Sequence, residues 1–283
     1  MSDFSYAVCT SVGNDSVALV QWMLDNVPDE RFIVIYNNTG WARAEWAGRM
    51  EVIAAWCKQR GVAFYETQSM GMEALVRHKK IWPKPASDMQ FCTSYLKTRP
   101  TEKFLDEIDP DKLLTCVNGV RREESNNRRD APEWVDSSSK HGGRELWSPM
   151  VRVLTPERDA LIEKAGFSVL PHQSMECYPC VCANKGDLAM LDDQRIDEIE
   201  AIELSMGHNG KKNPYTMFRP YRVGGGVGIR QAVEWGKGPR GWKASVYPET
   251  YRYKGGDLIV SDLESLDENT NESRQCEGGY CGM

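Results

Sequence analysis

The feature that most constrains this 283-residue chain is a strict alternation of short apolar runs and amphipathic helical patterns over its first 66 residues. Ser5 to Thr10 is a strand candidate, and it enters the turn Ser11-Val12-Gly13-Asn14-Asp15-Ser16. Val17, Leu19, Val20, Met23 and Leu24 then recur at helical spacing until Asn26 and Pro28 stop the pattern. Arg31 to Tyr36 reads as a buried strand closed by Asn37-Asn38-Thr39-Gly40, Ala44 to Arg60 as a helix ended by Gly61, and Val62 to Glu66 as a third strand. Strands separated by helix-length crossovers pair in parallel, so the pattern predicts an α/β fold with a doubly wound parallel sheet.

The same reading continues with a helix over Ser94 to Ile108, a strand over Leu113 to Gly119, a polar loop over Ser137 to Gly143, a last strand over Leu146 to Leu154, and a helix over Pro156 to Ala165 capped by Gly166. From Pro171 the texture changes to a cysteine cluster, an acidic helix and a basic, aromatic stretch. The expected organisation is therefore a nucleotide-binding α/β domain over 1–170, a smaller helical and irregular subdomain over 171–263 and a flexible cysteine-containing tail over 264–283.

Charge sharpens the division. The whole chain carries a net −6. Residues 187–203 hold seven acids against the single base Arg195, whereas 205–254 hold ten bases against Glu234 and Glu249, interleaved with tyrosines, tryptophans and Phe218. A cationic surface with exposed rings can follow a phosphate backbone and stack bases; the alternative is a helical subdomain whose rings are core and whose charges pair with the acidic helix. Nine cysteines without an N-terminal signal pattern are expected in a reducing, cytoplasmic setting, as ligands or reactive thiols. No stretch approaches 18 consecutive apolar residues, so no membrane partner is expected.

In an open parallel sheet, ligands collect at the carboxyl ends of the strands, where helix N-termini present N–H groups to anions. Ser11, Gly13, Asp15 and Ser16 supply hydroxyls, a glycine for close backbone approach and a helix start, a set suited to pyrophosphate; Gly-Asn-Asp-Ser is also an ordinary N-cap sequence. Cys177-x-x-Cys180-x-Cys182 packs three thiols into six residues, with Cys92 a fourth, and four thiolates suit either a [4Fe–4S] cluster or a four-cysteine zinc site. Cys9, Cys57 and Cys116 lie on apolar patterns and read as packed small hydrophobes. Arg121, Arg122, Arg128 and Arg129 follow a strand end, where guanidinium groups can grip oxyanions or remain solvated. The four histidines have no metal spacing, and Gly224-Gly225-Gly226-x-Gly228 reads as a surface loop.

Thr10 to Leu19 resembles the Ser-Gly-Gly-x-Asp-Ser pyrophosphate loop of the PP-loop ATP pyrophosphatases, and later segments resemble their relatives, the phosphoadenosine phosphosulfate (PAPS) reductases. Asn38-Thr39-Gly40-Trp41, Phe91-Cys92-Thr93-x-x-Leu96-Lys97, Gly119-Val120-Arg121-Arg122-Glu123-Glu124-Ser125, Trp147-Ser148-Pro149-Met150 and Cys177-x-x-Cys180 follow in the order of that superfamily. The loop departs from it at Val12, where a glycine is usual, and keeps Asp15-Ser16, a pair typical of members that cleave ATP. The resemblance implies a Rossmann-like domain that binds ATP or PAPS, with Mg²⁺, through Ser11, Gly13, Asp15, Ser16, Thr39, Gly40, Lys97, Gly119 and Arg121.

It also implies a [4Fe–4S] cluster on Cys92, Cys177, Cys180 and Cys182, with Zn²⁺ the alternative, and a catalytic role for Asp15 and for the tail thiols Cys276 and Cys281. The function so implied is adenylation of an acceptor, nucleic acid among the candidates, followed by thiolation, with sulfur from a cysteine desulfurase. The alternatives are reduction of PAPS or its unphosphorylated analogue to sulfite with a thioredoxin-like donor, and a non-catalytic, zinc-containing nucleic-acid-binding module.

Overall fold

The computed structural model describes residues 4–27, 31–85, 89–125, 128–207, 215–218 and 228–238. The chain divides into two compact units. The first comprises, among the described residues, those up to Met72 and Phe91–Tyr178; the second comprises Glu73–Gln90 and the residues from Pro179 onward. The expected boundary at residue 170 falls inside the first unit.

The first unit is built on a sheet with, among the described residues, six strands in the order β3-β2-β1-β4-β6-β5. β1 (Tyr6–Thr10), β2 (Phe32–Asn38) and β3 (Ala63–Gln68) are linked by α1 (Asn14–Asn26) and α2 (Ala44–Gln59). β1 pairs in parallel with β2, Tyr6 opposite Phe32 through Thr10 opposite Tyr36, and on its other edge with β4 (Thr115–Val117). β6 (Leu146–Trp147) continues in parallel beside β4, and β5 (Trp134–Val135) closes the edge antiparallel. The doubly wound parallel sheet expected from the alternation is thus present, with one antiparallel edge strand.

Side chains alternate across the strands, and both sets are buried. Ala7, Ile33, Ile35 and Cys116 form a core with Leu105, Leu114 and Leu146, while the intervening Val8, Val34 and Val117 are fully buried on the opposite face. Gly61 and Gly166 end their helices with φ of +75° and +87°, as their C-terminal positions predict.

Two expected elements differ. Leu146–Leu154 is a strand only at Leu146–Trp147; Ser148 and Met150 then accept turn hydrogen bonds from Val151 and Val153 at 3.1 and 2.9 Å, and the chain bends into α6 (Thr155–Lys164). The helix expected from Ser94 begins at Phe91 and is not uniform: α4 (Phe91–Thr93) passes through a π turn at Ser94–Thr98 into α5 (Arg99–Ile108).

The polar loop 137–143 also does more than connect. It buries His141 and leads into Arg144, whose fully buried guanidinium meets Asp109 through Nε to Oδ2 at 3.0 Å and through Nη2 to the backbone oxygen at 2.7 Å.

In the second unit, α8 (Asp193–Met206) and α9 (Ile229–Lys237) pack together, and α7 (Lys185–Ala189) lies against α9. Arg230 is bound by Glu200 at 2.8 Å and by Asp197, and the Lys185 ammonium lies 4.8 Å from the Trp235 ring centre. Within the described part of the basic stretch, Arg230 thus pairs with the acidic helix. Glu203 was one acid in a run by sequence; it is 2% exposed and accepts the Met217 and Ile229 N–H groups at 2.9 Å, which anchors residues 215–218 and the first turn of α9. No described helix is long and apolar enough to cross a membrane.

Candidate functional site

The strand order reverses between β1 and β4, so the loops after these two strands flank one crevice at the carboxyl edge of the sheet. The loop after β1 is Ser11-Val12-Gly13, and α1 starts at Asn14 with no side chain capping it. Its first-turn N–H groups have no intrahelical acceptor and carry the positive end of the helix dipole, an arrangement complementary to an anion. The Ser16 hydroxyl accepts the Ser11 N–H at 3.0 Å and lies 3.2 Å from the Ser11 hydroxyl, so both serines stand at the mouth of the loop.

Val12 adopts φ +52° with its side chain fully buried. This left-handed conformation explains why glycine is usual here: a β-branched residue is strained at positive φ. Gly13 is tight for a different reason, since a Cβ there would stand 3.0 Å from that of Ser174.

The opposing loop contributes Gly119 and Arg121. A Cβ on Gly119 would stand 3.2 Å from the Asp15 carbonyl oxygen, so glycine suits the close approach of the two loops and a larger residue would push them a few tenths of an ångström apart. Arg121, 3% exposed, donates through Nε to Asp15 Oδ1 at 2.6 Å and through Nη1 to Glu123 at 3.1 Å, the Val153 carbonyl at 3.2 Å and Thr155 at 3.4 Å. Its guanidinium is thus committed to the protein. Arg122 donates twice to the Ala131 carbonyl, at 3.0 and 2.9 Å, and Arg128 pairs with Glu124.

At the end of β2, Thr39 is fully buried and donates to the Glu176 carbonyl at 2.7 Å. Gly40 has φ +59°, and a Cβ on it would stand 2.9 Å from Gly71 Cα. Lys97, in the π turn, forms an ion pair with Glu176, which is 1% exposed; its second oxygen, Oε1, is buried without a hydrogen-bond partner. Burial raises the Glu176 pKa and the lysine opposes that shift. Tyr36 nearby is also pushed up, by burial first and by the Glu176 carboxylate next.

The structure therefore brings Ser11, Gly13, Asp15, Ser16, Gly119 and Arg121 together, with Thr39 and Lys97 joined through Glu176 at the neighbouring strand end and Gly40 next to Thr39, its N–H bound to Asn38 Oδ1. The sequence reading missed Glu176, Ser174, Trp46 and Arg49. Glu176 had a signal in its place immediately before Cys177, and Trp46 and Arg49 in their spacing of three on a helix.

The expected metal ligands are a different matter. Among the described residues no group of three or more His, Cys, Asp or Glu side chains is placed to hold a metal ion. A cluster or zinc site needs its sulfurs to converge at about 2.3 Å from the metal. Cys92 and Cys177 belong to the first unit and Cys180 and Cys182 to the second. Within the second, the Cys182 N–H lies 3.5 Å from Cys180 Sγ. Cys9, Cys57 and Cys116 are buried, with pKa values pushed up by desolvation, to about 12 for the first two, as packed small hydrophobes should be. Cys276, Cys281 and most of the 205–254 stretch lie outside the described residues.

A doubly wound α/β sheet with an anion-binding loop at its switch point defines a class of nucleotide-binding proteins. Within that class, a family model for the phosphoadenosine phosphosulfate reductase domain matches residues 5–176, and the chain belongs to that family. Among solved structures, it is similar to a PAPS reductase from Candida auris in a phosphate complex (10% identity, TM-score 0.41, 60% of this chain and 75% of that one). It is also similar to the U34-tRNA thiolase NcsA from Methanococcus maripaludis with its [4Fe-4S] cluster (12%, 0.45, 95% and 84%) and to an FMN adenylyltransferase from Candida glabrata in complex with ATP (11%, 0.42, 98% and 75%). No curated protein matches.

Proposed function

We propose that this chain is an enzyme that binds an adenine nucleotide and performs sulfur chemistry on an adenylated group. The observation that carries the reading is the uncapped start of α1, with the Ser11 and Ser16 hydroxyls beside it, facing Gly119 across the strand switch. In the preferred form of the reaction, Mg²⁺-bound ATP is the substrate. The loop holds the β- and γ-phosphates, an acceptor oxygen attacks the α-phosphorus, and pyrophosphate leaves. A sulfur nucleophile then displaces AMP from the adenylated acceptor.

This chain's own residues act on the first step. Donors fixed before the reaction stabilise charge that develops on the leaving pyrophosphate without reorganising. Asp15 is held by Arg121, and Gly119 admits the loop. Arg121 thus acts through Asp15 as a positioning residue. The retained Asp15-Ser16 pair supports ATP cleavage.

Family membership supports a second form, in which PAPS is bound in the same crevice and reduced to sulfite. One experiment separates them. The full chain is incubated with Mg²⁺-ATP, with and without tRNA or DNA and a sulfide donor, and separately with PAPS and reduced thioredoxin. Pyrophosphate and AMP release is the expected outcome. Sulfite formation that disappears when both Cys276 and Cys281 become Ser would replace it with the reductive form, and neither product would refute both.

A further inference from the structure

We infer that Trp46 and Arg49 of α2 form a carbonyl clamp that sets the anion-binding conformation of the loop and lets it tolerate valine at position 12. The two residues are three apart and share a helix face. Trp46, 4% exposed, donates its indole N–H to the Ser11 carbonyl at 3.1 Å, and Arg49 donates Nε–H to the Val12 carbonyl at 2.6 Å. The guanidinium lies 5.6 Å from the Trp46 ring centre, a cation–π contact that holds donor against donor. Ser174 adds a second donor to the Ser11 carbonyl at 3.2 Å.

These bonds have two effects. Two consecutive carbonyl oxygens, each a partial negative charge that would repel an anion, are fixed onto α2 and cannot turn toward the crevice. Further, Val12 is held in a left-handed conformation that it would otherwise leave, since strain of this kind persists only where the surroundings over-determine it. Glycine adopts that conformation freely, so a loop with glycine here has less need of the clamp. Arg49 adds charge as well. No carboxylate among the described residues pairs with it, its Nη2 is buried without a hydrogen-bond partner, and burial lowers its pKa.

The inference rests on the reading that the loop binds pyrophosphate, and its test separates the two. Pyrophosphate and Mg²⁺-ATP are titrated by calorimetry into the wild-type chain, Arg49→Met, Val12→Gly and the double variant, and thermal unfolding of all four is recorded without ligand. Arg49→Met is expected to weaken pyrophosphate binding about tenfold or more. Val12→Gly should restore most of that loss, and the unfolding midpoint should fall less on Arg49→Met in the Val12→Gly background than in wild type. Arg49→Lys, which keeps the charge and one donor, should fall between wild type and Arg49→Met.

An Arg49→Met chain that binds like wild type would overturn the clamp. So would equal losses in both backgrounds, which would make Arg49 a direct ligand contact. If the wild-type chain binds neither probe, the nucleotide reading fails, and the ligand-free unfolding cycle still decides the clamp: additive midpoints overturn it, and non-additive midpoints uphold it.

Discussion

Arg121→Met isolates what the buried guanidinium does. The side chain is 3% exposed and of similar length to methionine, so the substitution keeps packing and removes charge and donors. A hydrogen bond to a charged group contributes about 1.5–3 kcal/mol, and a carbonyl left buried without a donor costs about 1–3 kcal/mol. Asp15, whose side chain is 31% exposed, recovers part of its loss from water, so the ionic contribution sits at the low end; the Val153 carbonyl loses the guanidinium at 3.2 Å. Together these give about 3 kcal/mol, at the low end of the roughly 3–5 kcal/mol that breaking a buried pair costs. For a protein of this size that corresponds to a fall of about 6–12 °C in Tm.

Urea and thermal unfolding measure it, with the urea midpoint falling at unchanged slope, and an ATP titration runs in parallel. Nucleotide binding should weaken together with stability, and Asp15→Asn should recover part of the stability by removing a carboxylate left with the Arg158 guanidinium at 3.8 Å as its cationic neighbour. A variant as stable as wild type that loses only nucleotide affinity would refute the argument and make Arg121 a ligand contact.

Three further outcomes are expected. Burial raises the Glu203 pKa from 4.5 to about 8, so the folded state holds a proton there that the unfolded state has released. The stability of the second unit should then fall as pH rises from about 4.5 to about 8, by about 1.4 kcal/mol per unit, and Glu203→Gln should flatten that slope in hydrogen exchange followed across pH. His141 has the opposite sign: burial lowers its pKa from 6.5 to about 4, so stability present above pH 6.5 is lost as pH falls toward 4, by at most about 3 kcal/mol, and His141→Gln should remove that dependence in thermal unfolding. Cys9, Cys57 and Cys116 should resist iodoacetamide at pH 8 until urea unfolds the chain, as read by peptide mass spectrometry; rapid native labelling of any of them would contradict their raised pKa values.

The sheet was legible in the sequence because its strands are buried on both faces and read as unbroken apolar runs, with Gly61 and Gly166 marking helix ends. The strands β1 to β3 and the helix α2 lie within two residues of their expected limits, whereas α1 starts at Asn14, inside the expected turn, three residues before its first periodic apolar residue. What escaped is what periodicity does not encode. A π turn leaves no hydrophobic signature. A charged side chain looks the same in sequence whether solvated or buried, so the burial of Arg121, Glu203 and Arg144 and the partners that hold them left no mark there. Val12 stood out as a departure, but its left-handed backbone and the α2 donors that hold it come from tertiary contacts.

The π turn at Ser94–Thr98 has a consequence for how such a chain tolerates changes in length. A π turn is an α-helix with one residue too many, and each residue turns a helix by about 100°. Deleting one residue between Ser94 and Thr98 would restore a regular helix and leave either the segment before it or the segment after it in the wrong rotation. Leu105, fully buried in the core, fixes the later segment, so the mismatch would fall on Lys97 and its bond to Glu176. This stretch should therefore tolerate substitution far better than insertion or deletion, unlike the exposed loops of the same domain.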